Sequence, residues 1–257
     1  MNNNKSIKSV LISVFHKDNL DIIANKLNER NIIIYSTGGT QNYLDSINIK
    51  SINIECITNY PSILGGRVKT LHPKIFGGIL YRRDNENDLL EIDKYEIPNI
   101  DAVVVDLYPF EKTLLSNAPD EDIIEKIDIG GVSLLRAAAK NYNDVLVIPS
   151  ISYYDNLIEI IEKGYSTINE RKYFATLAFA ETAKYDSLIF AYFNKNEDIK
   201  SFSENISNYT ELRYGENPHQ KGIFYGDLNN VIEQLHGKQL SYNNLIDVDA
   251  AINLILE

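Results

Sequence analysis

Cysteine occurs once in this chain, at Cys56, so neither a disulfide framework nor a thiolate zinc site can be built. The 4 histidines have no paired spacing and give no metal-ligand pattern. No apolar run approaches the ~18 residues of a membrane span. The opening Met1–Lys8 is polar rather than signal-like, so the chain reads as a soluble cytoplasmic protein without membrane contact. Positive charge is also scarce. The 25 Lys and Arg stand against 36 Asp and Glu, a net −11 that argues against nucleic acid as a main partner. Walker A, G-x-G-x-x-G, zinc-protease and nucleophile-elbow patterns are all missing, as is any internal repeat. The 17 tyrosines are scattered and offer no stacking platform.

What is present is an ordinary globular composition, 44% hydrophobic, over 257 residues. That length holds one large domain, or one domain and part of another. An acidic protein that binds an anion must concentrate its few cations locally, and Gly65–Gly78 does so: Arg67, Lys69, His72 and Lys74 fall within 8 residues, flanked by glycine pairs. Glycine lets the backbone approach a ligand, and Arg and Lys grip phosphate as fork and point charge. The competing reading is a solvated basic loop.

Ser9–Phe15 is a nearly continuous apolar, β-rich run, as a strand buried on both faces should be. Asp18 can cap the following helix, in which Leu20, Ile23, Ala24 and Leu27 share a face. Further strands are expected at Ile32–Ser36, Ser51–Ile57, Asp101–Leu107 and Asp144–Ile148. Helices are expected at Gln41–Ser46, Asp84–Tyr95, Asp120–Ile127 (Ile123, Ile124 and Ile127 inward), Val132–Asn141 and through most of Ser152–Asn194. Strands alternating with helices mean βαβ units and a parallel sheet, with ligands at the carboxyl edge. Thr37-Gly38-Gly39-Thr40 ends the second strand at a helix N-terminus, where free N–H groups suit a phosphate, although a Gly-Gly turn is usually only a turn. Ser13, His16 and Lys17 close the first strand at the same edge, and Tyr108-Pro109-Phe110 follows the fourth. Asp128 and Lys140 flank the Val132–Asn141 helix, where each charge also complements the dipole. Lys195–Ser207 reads as a polar linker, Glu211–Gly226 as extended and Ala250–Glu257 as helical. The last segment is too small to close a core of its own.

In order along the chain, Ser36–Thr40, Gly65–Pro73, Asp106–Phe110, Ile127–Asn141 and Arg213–Gln220 resemble the bifunctional purine-biosynthesis family that carries AICAR transformylase and IMP cyclohydrolase activities. The resemblance implies a methylglyoxal-synthase-like α/β domain over residues 1–200, a parallel sheet flanked by helices, and a homodimer. Residues 201–257 would be a linker and the incomplete start of a second α/β domain, the transformylase. The implied reaction is the ring closure of 5-formamidoimidazole-4-carboxamide ribotide to inosinate (IMP), with no metal or redox cofactor. Carried over by motif, Lys69, Tyr108, Asp128 and Lys140 form the catalytic set. Thr37, Gly38, Gly39, Thr40, Arg67, Val68, Thr70, Ser13, Phe15, His16 and Lys17 would hold phosphate and sugar. Val105, Asp106 and Ile129 would line the base pocket, and Arg213 and Tyr214 belong to the aminoimidazole ribotide site of the transformylase half.

Two departures stand out. The first loop reads Ser-Val-Phe-His-Lys where the family more often ends in Ser-Asp-Lys. The chain also stops at Glu257, ahead of the family's Lys-His transformylation motif, so formyl transfer from 10-formyltetrahydrofolate, the co-substrate of that half, is not expected. Methylglyoxal synthase would share the Gly-Gly-Thr turn but not Asp128–Lys140 or Arg213–Gln220. A non-catalytic nucleotide-sensing module would need the phosphate grip but not the four-residue constellation.

Overall fold

A computed structural model describes residues 3–197 and 199–256. Its centre is set by β-branched, apolar runs that bury both faces. Five parallel strands, β1 (Ser9–Val14), β2 (Ile33–Ser36), β3 (Ile52–Asn53), β4 (Ala102–Asp106) and β5 (Leu146–Ile148), form one sheet in the order β3-β2-β1-β4-β5. Val10 pairs with Ile34 on one side and with Ala102 on the other, and Val14 stands opposite Asp106. The order reverses direction between β1 and β4. That switch point is where open α/β sheets leave a crevice at their carboxyl edge.

Connections between parallel strands are right-handed almost without exception, so crossovers leading away from β1 in two directions put helices on opposite faces of the sheet. The Leu20–Glu29 helix packs on the Tyr154–Lys163 helix, and the Pro73–Leu80 helix on Ile129–Lys140. The expected buried stripe of the first helix, Leu20, Ile23, Ala24 and Leu27, is the one observed. The 27-residue helix Ile168–Asn194 follows the sheet and buries Phe174, Ala178, Thr182 and Tyr185.

Several local expectations are corrected. Asp18 caps nothing: Asn19, in the left-handed region at φ 57°, precedes the helix, and a backbone bond from Leu20 N to Lys17 O closes the turn. The strand expected over Ser51–Ile57 ends at Asn53, whose side chain accepts from Glu55 N and starts the Ile54–Thr58 helix. A capping side chain there overrides the β propensity of the isoleucines. Gly77 and Gly78 do not loosen a loop but lie inside the Pro73–Leu80 helix. The helix expected at Gln41 begins at Gly38, and the one expected at Val132 begins at Ile129. Ile124 faces outward, since the Asp120–Ile124 helix is only 5 residues long and presents Ile123 alone to the core.

The described chain divides into two compact units, the second beginning at Asn194. In that unit Tyr209–Leu212 and Gly222–Tyr225 pair as an antiparallel hairpin, so the extended expectation holds for its two ends while residues 213–221 turn between them. The helix Tyr242–Leu256 buries none of its residues. A segment this short has too little apolar area to enclose.

Candidate active site

The first loop is tied to the end of β4. Phe15 N donates to Asp106 O at 3.1 Å, and the Asp106 carboxylate accepts from His16 N at 2.8 Å and sits 2.8 Å from His16 Nδ1. Lys17 folds back, its ammonium donating to the carbonyls of Val14 and Phe15. Burial lowers the Lys17 pKa, with Asp106 acting against it. His16 also borders an open cavity of about 550 Å³ lined by Pro109, Glu111, Lys112, Leu115 and Ser116.

Beside this loop the Gly38–Ser46 helix points its N-terminus at the carboxyl edge. Thr37 sits at the cap position and bonds Ser13 Oγ at 3.3 Å. Thr40 is buried and joins the helix to both the N–H and the carbonyl of Val14, so its hydroxyl does structural duty. Nothing lies within 4 Å of the Gly39 Cβ position. Against Gly38 rests Lys69, whose Nζ would be 3.3 Å from a Cβ there. The loop bearing Lys69 turns through Gly65 at φ 66° and Gly66 at φ 86°, a region L side chains avoid. A Cβ on Gly66 would fall 2.3 Å from Lys69 Cε, so the lysine stem occupies the space that glycine leaves. Lys69 has no ion-pair partner among the described residues. An ammonium against the positive end of a helix is an arrangement that favours an anion between them.

The other residues of the basic loop are differently employed. Arg67 is exposed and forks onto Glu125, whose carboxyl its hydrogen bond holds below the usual range. Val68 bridges Ile63. Thr70 is buried, with Oγ1 2.8 Å from the Gly130 Cβ position. The loop that carries Lys69 therefore reaches the turn that carries Asp128.

That turn opens the Ile129–Lys140 helix. Asp128 is its N-cap, Oδ1 accepting from Gly131 N at 2.7 Å. Burial raises the Asp128 pKa; the N–H groups of Gly131, Tyr108 and Gly130 oppose it, and Asp106 adds to it. Tyr108 is half-exposed, and burial first, then the negative charges of Asp128 and Glu125, push its phenol up. Its ring meets Phe15 edge-on at 5.3 Å, and Lys126 Nζ lies 5.3 Å from the Phe15 ring centre and 5.9 Å from that of Tyr108. Ile129 is exposed at the same place, whereas Val105 is only 1% exposed and packs its side chain in the sheet.

Lys140 is not brought to this group. It ends the 12-residue helix that Asp128 begins, so the two lie about 18 Å apart along the axis. Arg213 and Tyr214 lie in the second unit, where the guanidinium sits 4.9 Å from the Tyr214 ring centre. Sequence reasoning missed Glu125, Lys126 and Tyr185. The first two stand beside the Ile127–Asn141 motif and were readable by proximity. Tyr185 lies 57 residues from Asp128 in an apolar helix, and nothing local marks it. Among the described residues no cluster of three or more His, Cys, Asp or Glu is placed to hold a metal, and no helix is long and apolar enough to cross a membrane.

Comparison with known proteins covers both units. The MGS-like domain model matches residues 19–133, and the AICARFT/IMPCHase bienzyme model matches residues 138–257. The "Bifunctional purine biosynthesis protein PurH" of Bacteroides thetaiotaomicron is 55% identical over 259 residues, a match spanning 100% of this chain and 51% of that protein. The proteins of the same description from Caldicellulosiruptor saccharolyticus and Aquifex aeolicus are 46% and 44% identical, over 97% and 96% of this chain. The chain spans about half the length of the curated relatives it matches. Among solved structures, the crystal structure of ForH aligns with a TM-score of 0.62 and 32% identity, covering 73% of this chain and 100% of that one.

Proposed function

Since the chain belongs to the PurH family of bifunctional AICARFT/IMPCHase proteins and matches its N-terminal half, we propose that it performs the cyclohydrolase reaction of cytoplasmic purine biosynthesis. In this reaction the carboxamide nitrogen of the formylated ribotide attacks the formyl carbon and forms the new C–N bond. The carboxamide nitrogen gives up one of its two protons and the formamido nitrogen gives up its own. A C=N bond forms to the latter, and the former formyl oxygen leaves with the two protons as water, giving inosinate. Nucleophile and electrophile share one molecule, so orientation and charge stabilisation supply most of the acceleration.

The ribotide phosphate is assigned to the N–H groups of Gly38 and Gly39, with Thr37 and Ser13 beside them, since the Thr40 N–H donates to the Thr37 carbonyl. Asp128 accepts the carboxamide proton, while Lys69 and the Tyr108 phenol polarise the formyl oxygen. A carboxyl with a burial-raised pKa suits the first task, because a base works best when its pKa approaches the working pH. Lys140, at the far end of its helix, takes no part in this scheme within one chain. The formyl donor of the family, 10-formyltetrahydrofolate, serves the transformylase half and enters no step here. A homodimer, as the family implies, completes the proposal; sedimentation at micromolar concentration tests it.

The observation that carries the reading is the meeting of the Lys69 loop with the Asp128–Tyr108 turn through Thr70 and Gly130 at the switch point. A nucleotide-sensing module needs only the phosphate end. The test is a spectrophotometric assay of ring closure with the formylated ribotide. Lys69→Ala and Asp128→Ala should each lower turnover by at least about a thousandfold while the circular dichroism spectrum stays unchanged. Retained activity in either variant would sink the assignment; inosinate binding without turnover would favour the sensing module.

A further inference from the structure

The turn at 125–128 carries three side chains with separate tasks. Glu125 engages Arg67, Lys126 lies over the Phe15 and Tyr108 rings, and Asp128 caps the Ile129–Lys140 helix. The backbone of this turn is held by one group from a distant element. The Tyr185 hydroxyl, on the Ile168–Asn194 helix, accepts from Asp128 N at 2.9 Å and donates to the Lys126 carbonyl. An N-cap residue has no intrahelical use for its own N–H, so an outside acceptor must satisfy it when buried. Tyr185 is 6% exposed, and its ring lies 6.0 Å from that of Phe110, which itself meets Tyr192 edge-on. Burial pushes the Tyr185 pKa up to about 12, which keeps the hydroxyl protonated and able to donate.

We propose that Tyr185 is a positioning residue: its hydroxyl latches the Lys126–Asp128 turn and so fixes the Asp128 carboxyl and the Lys126 ammonium relative to Tyr108. The proposal rests on the cyclohydrolase reading for its catalytic consequence, but the latch itself does not depend on it. Tyr185→Phe keeps the ring and its packing and removes only the hydroxyl. Misplacing a catalytic group by about 1 Å can cost roughly a hundredfold in rate.

The test compares the full chain with Tyr185→Phe and with Tyr192→Phe, which removes the exposed hydroxyl bonded to Asp120. Steady-state kinetics with the formylated ribotide are measured, together with hydrogen exchange at the Asp128 amide. In Tyr185→Phe, kcat should fall about 10- to 100-fold with KM within about twofold, and the Asp128 amide should exchange at least about tenfold faster. Tyr192→Phe should change neither. Unchanged kcat and exchange in Tyr185→Phe would overturn the proposal, as would an equal loss in Tyr192→Phe. A wild-type protein without turnover would remove the cyclohydrolase reading alone, and the exchange comparison would still decide the latch. Were Tyr185→Phe unable to fold, the wild type itself would decide: rapid exchange of its Asp128 amide would refute the latch, and strong protection would uphold it.

Discussion

Asp128 has one observed job, as a helix cap, and one proposed for it, as a base, and the two can be separated at the level of a single atom. Its Oδ1 caps the helix through Gly131 N, a task that asparagine does equally well, while only a carboxylate can take a proton. Its folded pKa is raised above the ordinary aspartate value by burial. A raised pKa means that stability is fully present below the unfolded value and is lost as pH rises through the folded one. Asp128→Asn escapes that loss. Its melting temperature should match the wild type below the ordinary aspartate pKa of ~3.9 and exceed it at pH ~7. Thermal melts at the two pH values check the crossover, and the ring-closure assay should find the same variant inactive. At this scale Lys69 was legible in the sequence as a cation between glycines. The engagement of Arg67 by Glu125 was not, because the two are 58 residues apart.

At the scale of elements, periodicity located most helices and strands, and the errors fall where a cap or a tight contact overrode it. Asn53 turned an isoleucine-rich run into a helix. Gly78 shows the other kind. In a flexible loop an alanine there would be harmless, but in the Pro73–Leu80 helix its Cβ would stand 2.3 Å from the Pro98 carbonyl oxygen. Backbone cannot yield as a side-chain tip can. Gly78→Ala should therefore cost about 1–3 kcal/mol, the usual penalty of overpacking, and lower the denaturant midpoint measurably. A loop at this position would show no shift. The Ile129–Lys140 helix carries a related lesson. One contiguous motif spans both ends of a rigid rod, so continuity in sequence separates Asp128 from Lys140 in space.

For the molecule as a whole, the amino edge of the sheet is held by a group as deeply buried as any in the core. Arg171 is fully buried and donates five hydrogen bonds, to the carbonyls of Asn3, Tyr142, Asn143 and Ser166 and to Ser166 Oγ. It ties the short antiparallel ladder of Lys5–Ser6 with Tyr165–Ser166 to the loop before β5. Burial lowers its pKa, with Asp144 and Glu170 offsetting the cost. Arg171→Met would leave several carbonyls unpaired and should destabilise by about 3 kcal/mol or more. That corresponds to a melting temperature lower by about 6–12 °C in calorimetry. Under the proposed function, KM for the ribotide assigned to the opposite edge should be unchanged; a large rise in KM would mean that Arg171 acts on that site.

Taken by itself, the sequence determined the α/β class, the buried strands, the face of the first helix and the loops that carry Thr37–Thr40, Lys69, Tyr108 and Asp128. Each follows from local chemistry: side-chain period, β-branching, glycine and charge. Tertiary structure alone decided the strand order, with its switch point between β1 and β4, and the contact of Thr70 with Gly130. It also recruited Tyr185 to the Asp128 turn and left Lys140 at the other end of its helix. These depend on which distant surfaces bury one another, and a buried hydroxyl finds its partner only once packing has excluded water.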